Sequence, residues 1–148
     1  MTTSELGKIE KHIWIGAPRG RVWHALTTLG EFARWFQVKA EGQFAPGVRV
    51  DMVSTHALGK GAAFSVVIEA MEPERLFSWR WHPGKGDEPA TLVEFRLEDD
   101  RGGTLVTVVE SGFERLSLAH RAKAFEDNTK GWEIQLAALE DYAGKSAE

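Results

Sequence analysis

The spacing of apolar and polar residues predicts one strand, two short helices, six further strands and one long helix, in that order. The first strand, Lys8 to Ile15, alternates for most of its length and is rich in β-branched residues. Pro18 then suits the first turn of a helix, where its missing N–H costs nothing. Gly30 is expected to end this helix, and a second short helix is predicted at Glu31 to Phe36.

The six further strands are predicted as three consecutive pairs, each joined by a short turn. They are Val38 to Phe44 with Val48 to Ser54, Phe64 to Met71 with Leu76 to Trp81, and Leu92 to Glu98 with Thr104 to Glu110. Consecutive strands joined by short turns pair in antiparallel fashion, so a seven-stranded antiparallel sheet is expected.

The last element is predicted to be an amphipathic helix, with Ser117 as its N-cap and Gly144 as its stop. Its inward stripe recurs at steps of four and three residues and consists of Phe125, Thr129, Trp132, Leu136, Leu139 and Ala143. Roughly 26 helical residues would extend over about 39 Å, enough to cover the apolar face of the sheet. Gly131 costs about 1 kcal/mol against Ala inside this helix, a cost that would make sense if the sheet or a loop approaches closely there.

These elements predict an α+β fold in which a curved sheet wraps around the C-terminal helix and the two short helices close one end. We expect one domain over residues 1–148, with a core from about residue 8 to residue 143. Hydrophobic residues make up 43% and charged residues 27% of the chain, which excludes disordered, collagen-like and membrane-spanning classes. A cavity is expected between the sheet and the long helix.

The net charge and the cysteine content exclude several classes of function. The formal net charge of −4 and the lack of a basic cluster argue against nucleic-acid binding. The chain has no cysteine, so disulfides, thiolate metal ligands and cysteine nucleophiles are excluded. No apolar stretch has the length of a signal peptide core or a membrane span, so we expect a cytoplasmic protein with no membrane partner.

Several short strings together resemble one family over about residues 8–143. They are Ala17-Pro18, Val22-Trp23, Ala25-Leu26-Thr27, Ala33-Arg34-Trp35-Phe36, Glu69, Glu72-Pro73-Glu74-Arg75-Leu76, Gly103-Thr104, Glu110-Ser111-Gly112-Phe113 and Gly131-Trp132. On these strings the chain resembles the activator-of-heat-shock-ATPase homologue group of the START-like, Bet v 1-like superfamily, also called SRPBCC. The resemblance implies a helix-grip fold with a deep hydrophobic cavity, and it implies no single reaction.

Candidate ligand-binding residues lie mostly on the predicted apolar faces. Phe77, Trp79 and Trp81 alternate along one strand and therefore share a face. On another strand one face is expected to hold Phe64, Val66, Ile68 and Ala70, and Glu69 is expected on the other face. Each aromatic residue either packs the core or lines a cavity for a flat apolar ligand. The candidate set is Trp35, Phe64, Val66, Ile68, Trp79, Trp81, Phe95, Phe113, Phe125, Asn128, Thr129, Trp132 and Leu136.

Glu110 is the strongest polar candidate, because it shares a strand face with Val106 and Val108, which the resemblance places inside the fold. A carboxylate on an apolar face would have a raised pKa or a partner, and it could act as a general acid or base. The alternatives are that Glu110 reaches solvent at its strand end or pairs with an arginine. Asn128 and Thr129 would either orient a ligand or be interior polar groups satisfied by their neighbours.

The histidines offer no metal site. No two of them have the spacing of a metal-binding pair, so no metal is expected. His56 and His82 lie near predicted strand ends, where each either lines the mouth of the cavity or belongs to a solvated loop.

Three functions remain open at this point. The first is binding of a small apolar or aromatic molecule in the cavity, without a resident cofactor. The second is an enzyme that uses the same cavity for acid–base hydrolysis or cyclisation of an aromatic compound. The third is an interaction protein, such as a chaperone accessory or stress-related partner, which would expose an apolar patch. A homodimer is also considered.

Overall fold

The order of elements in the computed structural model is the predicted one. The structure describes residues 8–56, 61–82, 91–113 and 118–146. The elements are β1 (Lys8–Ile15), α1 (Arg19–Thr27), α2 (Leu29–Phe36), β2 (Val38–Ala40), β3 (Arg49–Ser54), β4 (Ala63–Glu72), β5 (Leu76–His82), β6 (Thr91–Asp100), β7 (Gly103–Ser111) and α3 (Leu118–Ser146). Ser117 and the side chains of His82 and Phe125 lie outside the described residues, so the predictions made for them are not addressed.

The seven strands form one curved antiparallel sheet in the order β1-β7-β6-β5-β4-β3-β2. Each neighbouring pair of strands is antiparallel, and β2 to β7 lie side by side in chain order. β1 pairs with β7 at the other edge of the sheet. α3 covers the apolar face through the buried side chains of Trp132, Leu136, Leu139 and Ala143. This arrangement confirms the predicted α+β helix-grip fold.

Helices α1 and α2 are fastened to each other and to α3 by specific hydrogen bonds. The indole Nε1 of Trp35 in α2 donates to the carbonyl oxygen of Ala25 in α1 over 2.7 Å. The hydroxyl of Tyr142 in α3 donates to Glu31 in α2 over 3.1 Å. Buried polar groups of this kind need partners, and these bonds fix how the two short helices sit against the long one. No helix within the described residues has both the length and the apolar character required to cross a membrane.

Two predicted helix ends are wrong. Gly30 lies inside α2, and the break falls at Thr28, whose extended backbone (φ −91°, ψ 113°) separates α1 from α2. The Thr28 carbonyl accepts from the N–H groups of Glu31 and Phe32, so the new helix begins immediately after it. Gly144 does not stop α3, which runs to Ser146, because Gly144 does not adopt the positive φ of a glycine cap.

Two predictions about strands are also wrong. β2 ends at Ala40 rather than Phe44, because Gly42 takes a φ of +109° that leaves the extended region. In β4 a bulge at Glu69 shifts the register, so that Ala70 faces Ser78 and not the core. Met71 takes the inward position opposite Phe77 in place of Ala70.

Candidate functional site

A cavity of about 210 Å³ lies between α3 and strands β4 and β5, and α2 closes one side of it. We call this space the aromatic pocket; its described lining residues are Phe36, Phe64, Trp81, Asp127, Asn128, Gly131, Trp132 and Gln135. The five α3 residues come from two adjacent rows of that helix, since residues four apart lie on the same face. Asp127, Gly131 and Gln135 form one row, and Asn128 with Trp132 forms the other.

The apolar wall of the pocket consists of packed rings. Trp81 on β5 and Trp132 on α3 stack with centroids 5.7 Å apart and planes 18° from parallel. Phe64 meets Trp81 edge-on at 6.1 Å, and Phe36 meets Trp132 at 6.3 Å. Offset stacks and edge-to-face pairs are the arrangements that aromatic rings favour, so this wall is held in a defined shape.

Gly131 leaves the pocket open on the helix side. A Cβ atom built at Gly131 would meet no atom of the described structure within 4 Å. The close approach of the sheet that would account for this glycine is therefore not found among the described residues. Glycine costs about 1 kcal/mol against alanine in a helix. Since no described neighbour requires a glycine here, we infer that Gly131 serves to keep the pocket open.

Glu110 lies directly behind the pocket wall. It is 0% exposed, and its cross-strand neighbours are the apolar Ile9 and Val93. It therefore does not reach solvent at the end of β7, which was one of the two alternatives for this residue.

Four uncharged donors among the described residues surround the Glu110 carboxylate. Oε2 accepts from the Thr91 hydroxyl at 2.6 Å and from Trp81 Nε1 at 2.8 Å. Oε1 accepts from Trp132 Nε1 at 2.9 Å, and Asn128 Nδ2 donates to both oxygens at 3.1 Å. A carboxylate offers about four lone-pair sites, so this shell uses its accepting capacity.

Burial raises the pKa of Glu110 above its ordinary value. The hydrogen bonds from Thr91, Trp132, Trp81 and Asn128 favour the ionised form and oppose this rise in part. Each of those donors is neutral, so none supplies the positive charge that would cancel a buried carboxylate.

The structure separates the predicted ligand-binding residues into two groups. Phe64, Trp81, Asn128 and Trp132 line the aromatic pocket. The others with described side chains do not line it: Thr129 is half-buried on α3, and the remainder are packed in the core, namely Trp35, Val66, Ile68, Trp79, Phe95, Phe113 and Leu136. The indole Nε1 of Trp79 has no hydrogen-bond partner among the described residues although its side chain is buried.

Phe36, Asp127, Gly131 and Gln135 belong to the pocket and were not predicted for it. One sequence signal could have found three of them, because Asp127, Gly131 and Gln135 recur at steps of four beside Asn128 and Trp132. His56 does not line the pocket. Within the described residues, no three histidine or acidic side chains are grouped as metal ligands.

A second hollow, of about 380 Å³, lies at the start of α1 and is lined mainly by turn residues and glycines. Its one basic side chain among the described residues, Arg19, donates to Asp99 Oδ1 at 2.7 Å and to the Glu74 carbonyl at 3.1 Å. This hollow has no aromatic side chain among its described lining residues, so we regard the aromatic pocket as the better candidate site.

Comparison with known proteins supports the fold. The family profile of "Activator of Hsp90 ATPase homolog 1-like protein" matches residues 16–144. No curated protein matches the chain. Protein MLL2253 from Mesorhizobium loti has a similar structure, with a TM-score of 0.78, 21% identity, and coverage of 94% of this chain and 98% of that one.

Two further structures extend this comparison. The Aha1 dimer from Colwellia psychrerythraea has a TM-score of 0.75 and 17% identity, with coverage of 93% of this chain and 96% of that one. DynU16, a protein of the dynemicin biosynthetic locus, has a TM-score of 0.75 and 22% identity, with coverage of 95% of this chain and 48% of that one. At these identities the structural similarity shows the fold alone.

Proposed function

The chain belongs to the activator of Hsp90 ATPase homolog 1-like family, whose fold commonly binds hydrophobic ligands, and we propose that it binds a small aromatic molecule in the aromatic pocket. The observation that carries this proposal is the pocket itself, a space of about 210 Å³ with four aromatic rings in its lining. Binding sites for small molecules have this composition, with mostly apolar walls and a few placed polar groups.

The volume of the pocket limits the size of its ligand. Pockets for drug-sized molecules enclose about 300–1,000 Å³, and this one encloses about 210 Å³. A buried apolar cavity of about 150 Å³ is enough to hold benzene. The pocket therefore suits a single aromatic ring with a short substituent.

Asn128 supplies a polar group that can orient such a ligand. Its Nδ2 donates to Glu110, which fixes the side chain and leaves its carbonyl Oδ1 to accept a hydrogen bond. On the adjacent row of α3, Gln135 donates to the Phe36 carbonyl at 3.3 Å and so holds α2 against α3 beside the pocket. A hydrogen-bond donor on the ligand would meet Asn128 Oδ1.

The proposal is tested by filling the pocket. We would titrate the protein with 2-phenylethanol and follow tryptophan fluorescence, since Trp81 and Trp132 lie in the pocket wall. In Gly131→Leu the new side chain occupies the space and binding should be lost. Gly144→Leu is the matched control, because it lies on the same helix, outside the pocket, and also has no atom within 4 Å of an added Cβ. Unchanged binding by Gly131→Leu would refute the proposed site.

An enzymatic use of Glu110 is less well supported. General acid–base catalysis requires the carboxyl group to reach the reacting atoms. Glu110 is fully buried, and Trp81, Asn128 and Trp132 lie between it and the pocket. A ligand would therefore meet these three side chains first.

A role in protein interaction is supported only for self-association. The relative from Colwellia psychrerythraea is described as a dimer, and we propose that this chain pairs in the same way. Among the described residues the exposed large apolar side chains are Val48, Val53 and Ile134. Light scattering behind a size-exclusion column distinguishes a dimer from a monomer of 16.5 kDa.

A further inference from the structure

The side-chain amide of Asn128 is turned so that its nitrogen faces the interior of the protein. Nδ2 donates to both oxygens of Glu110 at 3.1 Å. A carboxylate accepts at both oxygens, and a protonated carboxyl group keeps one oxygen that only accepts. The amide nitrogen therefore faces Glu110 in either protonation state of that residue, and Oδ1 is the end of the amide that points away from it.

Oδ1 of Asn128 accepts no hydrogen bond from the part of the chain that the structure describes. The residue is half-buried and lines the aromatic pocket, and both of its side-chain hydrogen bonds run through Nδ2. A ligand that covers this oxygen displaces its water, and without a donor of its own it leaves the oxygen unsatisfied. A ligand that brings a donor to Oδ1 avoids that cost.

The two tryptophans of the pocket wall offer ring surface to a ligand, since their N–H groups are already engaged. Nε1 of Trp81 lies 2.7 Å from the Thr91 hydroxyl oxygen and 2.8 Å from Glu110 Oε2. Nε1 of Trp132 donates to Glu110 Oε1 at 2.9 Å. An acceptor group on a ligand would have to break these buried bonds in order to use either indole as its donor. The indoles therefore serve the ring of the ligand and not its polar group.

Asn128 and Trp132 are four residues apart on α3, so they lie on the same face of the helix, with Cβ atoms about 5–6 Å apart. A ring that contacts Trp132 needs only a short substituent to bring a polar group to Asn128. We infer that the ligand of the aromatic pocket carries a substituent that donates a hydrogen bond to Asn128 Oδ1, as a hydroxyl group does, and that the pocket discriminates against ethers and ketones of the same size. This inference rests on the proposed function and adds the donor requirement to it.

The test compares two isomers, 2-phenylethanol and benzyl methyl ether. Both are neutral and have one ring and one oxygen, but the ether has no O–H group. Titrations followed by tryptophan fluorescence should show the alcohol binding about fivefold to tenfold more tightly than the ether. Equal binding of the two isomers, or tighter binding of the ether, would overturn the inference and leave the proposed function standing. Failure of both compounds to bind would contradict the proposed function itself.

Two variants locate the acceptor. In Asn128→Ala, which places a favourable residue inside the helix, the preference for the alcohol should fall to near parity because Oδ1 is gone. Gln135→Ala is the matched control, since Gln135 is the other amide of the described lining and its nitrogen donates to the Phe36 carbonyl; it should keep the preference. A preference that persists in Asn128→Ala would overturn the assignment to Asn128. If Asn128→Ala does not fold, the comparison of the two isomers on wild-type protein still decides whether the ligand must be a donor.

Discussion

Substitution of Gly131 should make the protein more stable, although it lies in the middle of its longest helix and in the lining of the aromatic pocket. A new Cβ would meet no described atom within 4 Å, so Gly131→Ala introduces no clash. Alanine is favoured over glycine inside a helix by about 1 kcal/mol. For a chain of this length about 1 kcal/mol raises the melting temperature by roughly 3–4 °C.

Gly131→Leu should add the burial of a larger side chain to this effect. A fully buried leucine contributes about 1.5–3 kcal/mol, and the pocket opens toward the exposed Asp127, so we expect about half of that value. Together with the backbone contribution the gain is about 2 kcal/mol, or roughly 6–8 °C in melting temperature.

The assay is thermal unfolding followed by circular dichroism, with Gly144→Ala and Gly144→Leu as controls. Gly144 lies on the same helix and has similar free space around an added Cβ, but it does not line the pocket. Its variants report the backbone effect without pocket filling. A melting temperature for Gly131→Leu below that of wild-type protein would mean that the space is absent, and the reasoning would fail.

Three further predictions concern buried groups. Burial raises the pKa of Glu110 in the folded protein, so its stabilising contribution is present below the unfolded pKa of about 4.3 and is lost as the pH rises through the folded value. Glu110→Gln, which stays neutral, should therefore gain stability relative to wild-type protein in urea unfolding as the pH is raised above about 4.3, and a stability difference that does not change with pH would contradict the raised pKa. Gly103→Ala should lower stability by about 1–3 kcal/mol, because its Cβ would overlap the carbonyl oxygen of Ile15; a neutral result in thermal unfolding would show that β1 and β7 are not packed this closely. Trp35→Phe should cost about 1 kcal/mol more than Trp79→Phe, because Nε1 of Trp35 donates to a backbone carbonyl and Nε1 of Trp79 has no partner; equal losses in chemical denaturation would argue against that difference.

The arrangement of strands could be predicted because local patterns carry it. Period-two alternation and short turns indicate antiparallel hairpins whatever the rest of the chain does. The bulge at Glu69 could not be predicted in this way, since an alternating pattern does not show where an extra residue enters a strand. The break between α1 and α2 at Thr28 could not be predicted either. Glycine is a stronger helix-breaking signal than threonine, so the sequence pattern placed the break at the nearby Gly30.

The candidate site was predictable in part. Trp81, Asn128 and Trp132 were identified as candidates, and the structure brings them together at one pocket. Patterning could not separate Trp81 from Trp79, because both lie on the same face of β5, and only tertiary packing buries one of them in the core. The role of Gly131 depends on what lies opposite it, and this information is not local to the helix.

The measurement that tests the central claim most directly is a ¹⁵N–¹H spectrum of the tryptophan indole N–H groups during titration with 2-phenylethanol. The chain has six tryptophans, and their resonances can be assigned by single Trp→Phe variants. We predict that the signals of Trp81 and Trp132 shift, because both line the aromatic pocket. Those of Trp14 and Trp35 should stay in place, because their N–H groups donate to backbone carbonyls and neither residue lines the pocket. Shifts confined to Trp14 or Trp35, or saturable binding with Trp81 and Trp132 unmoved, would contradict the assignment of this pocket as the binding site.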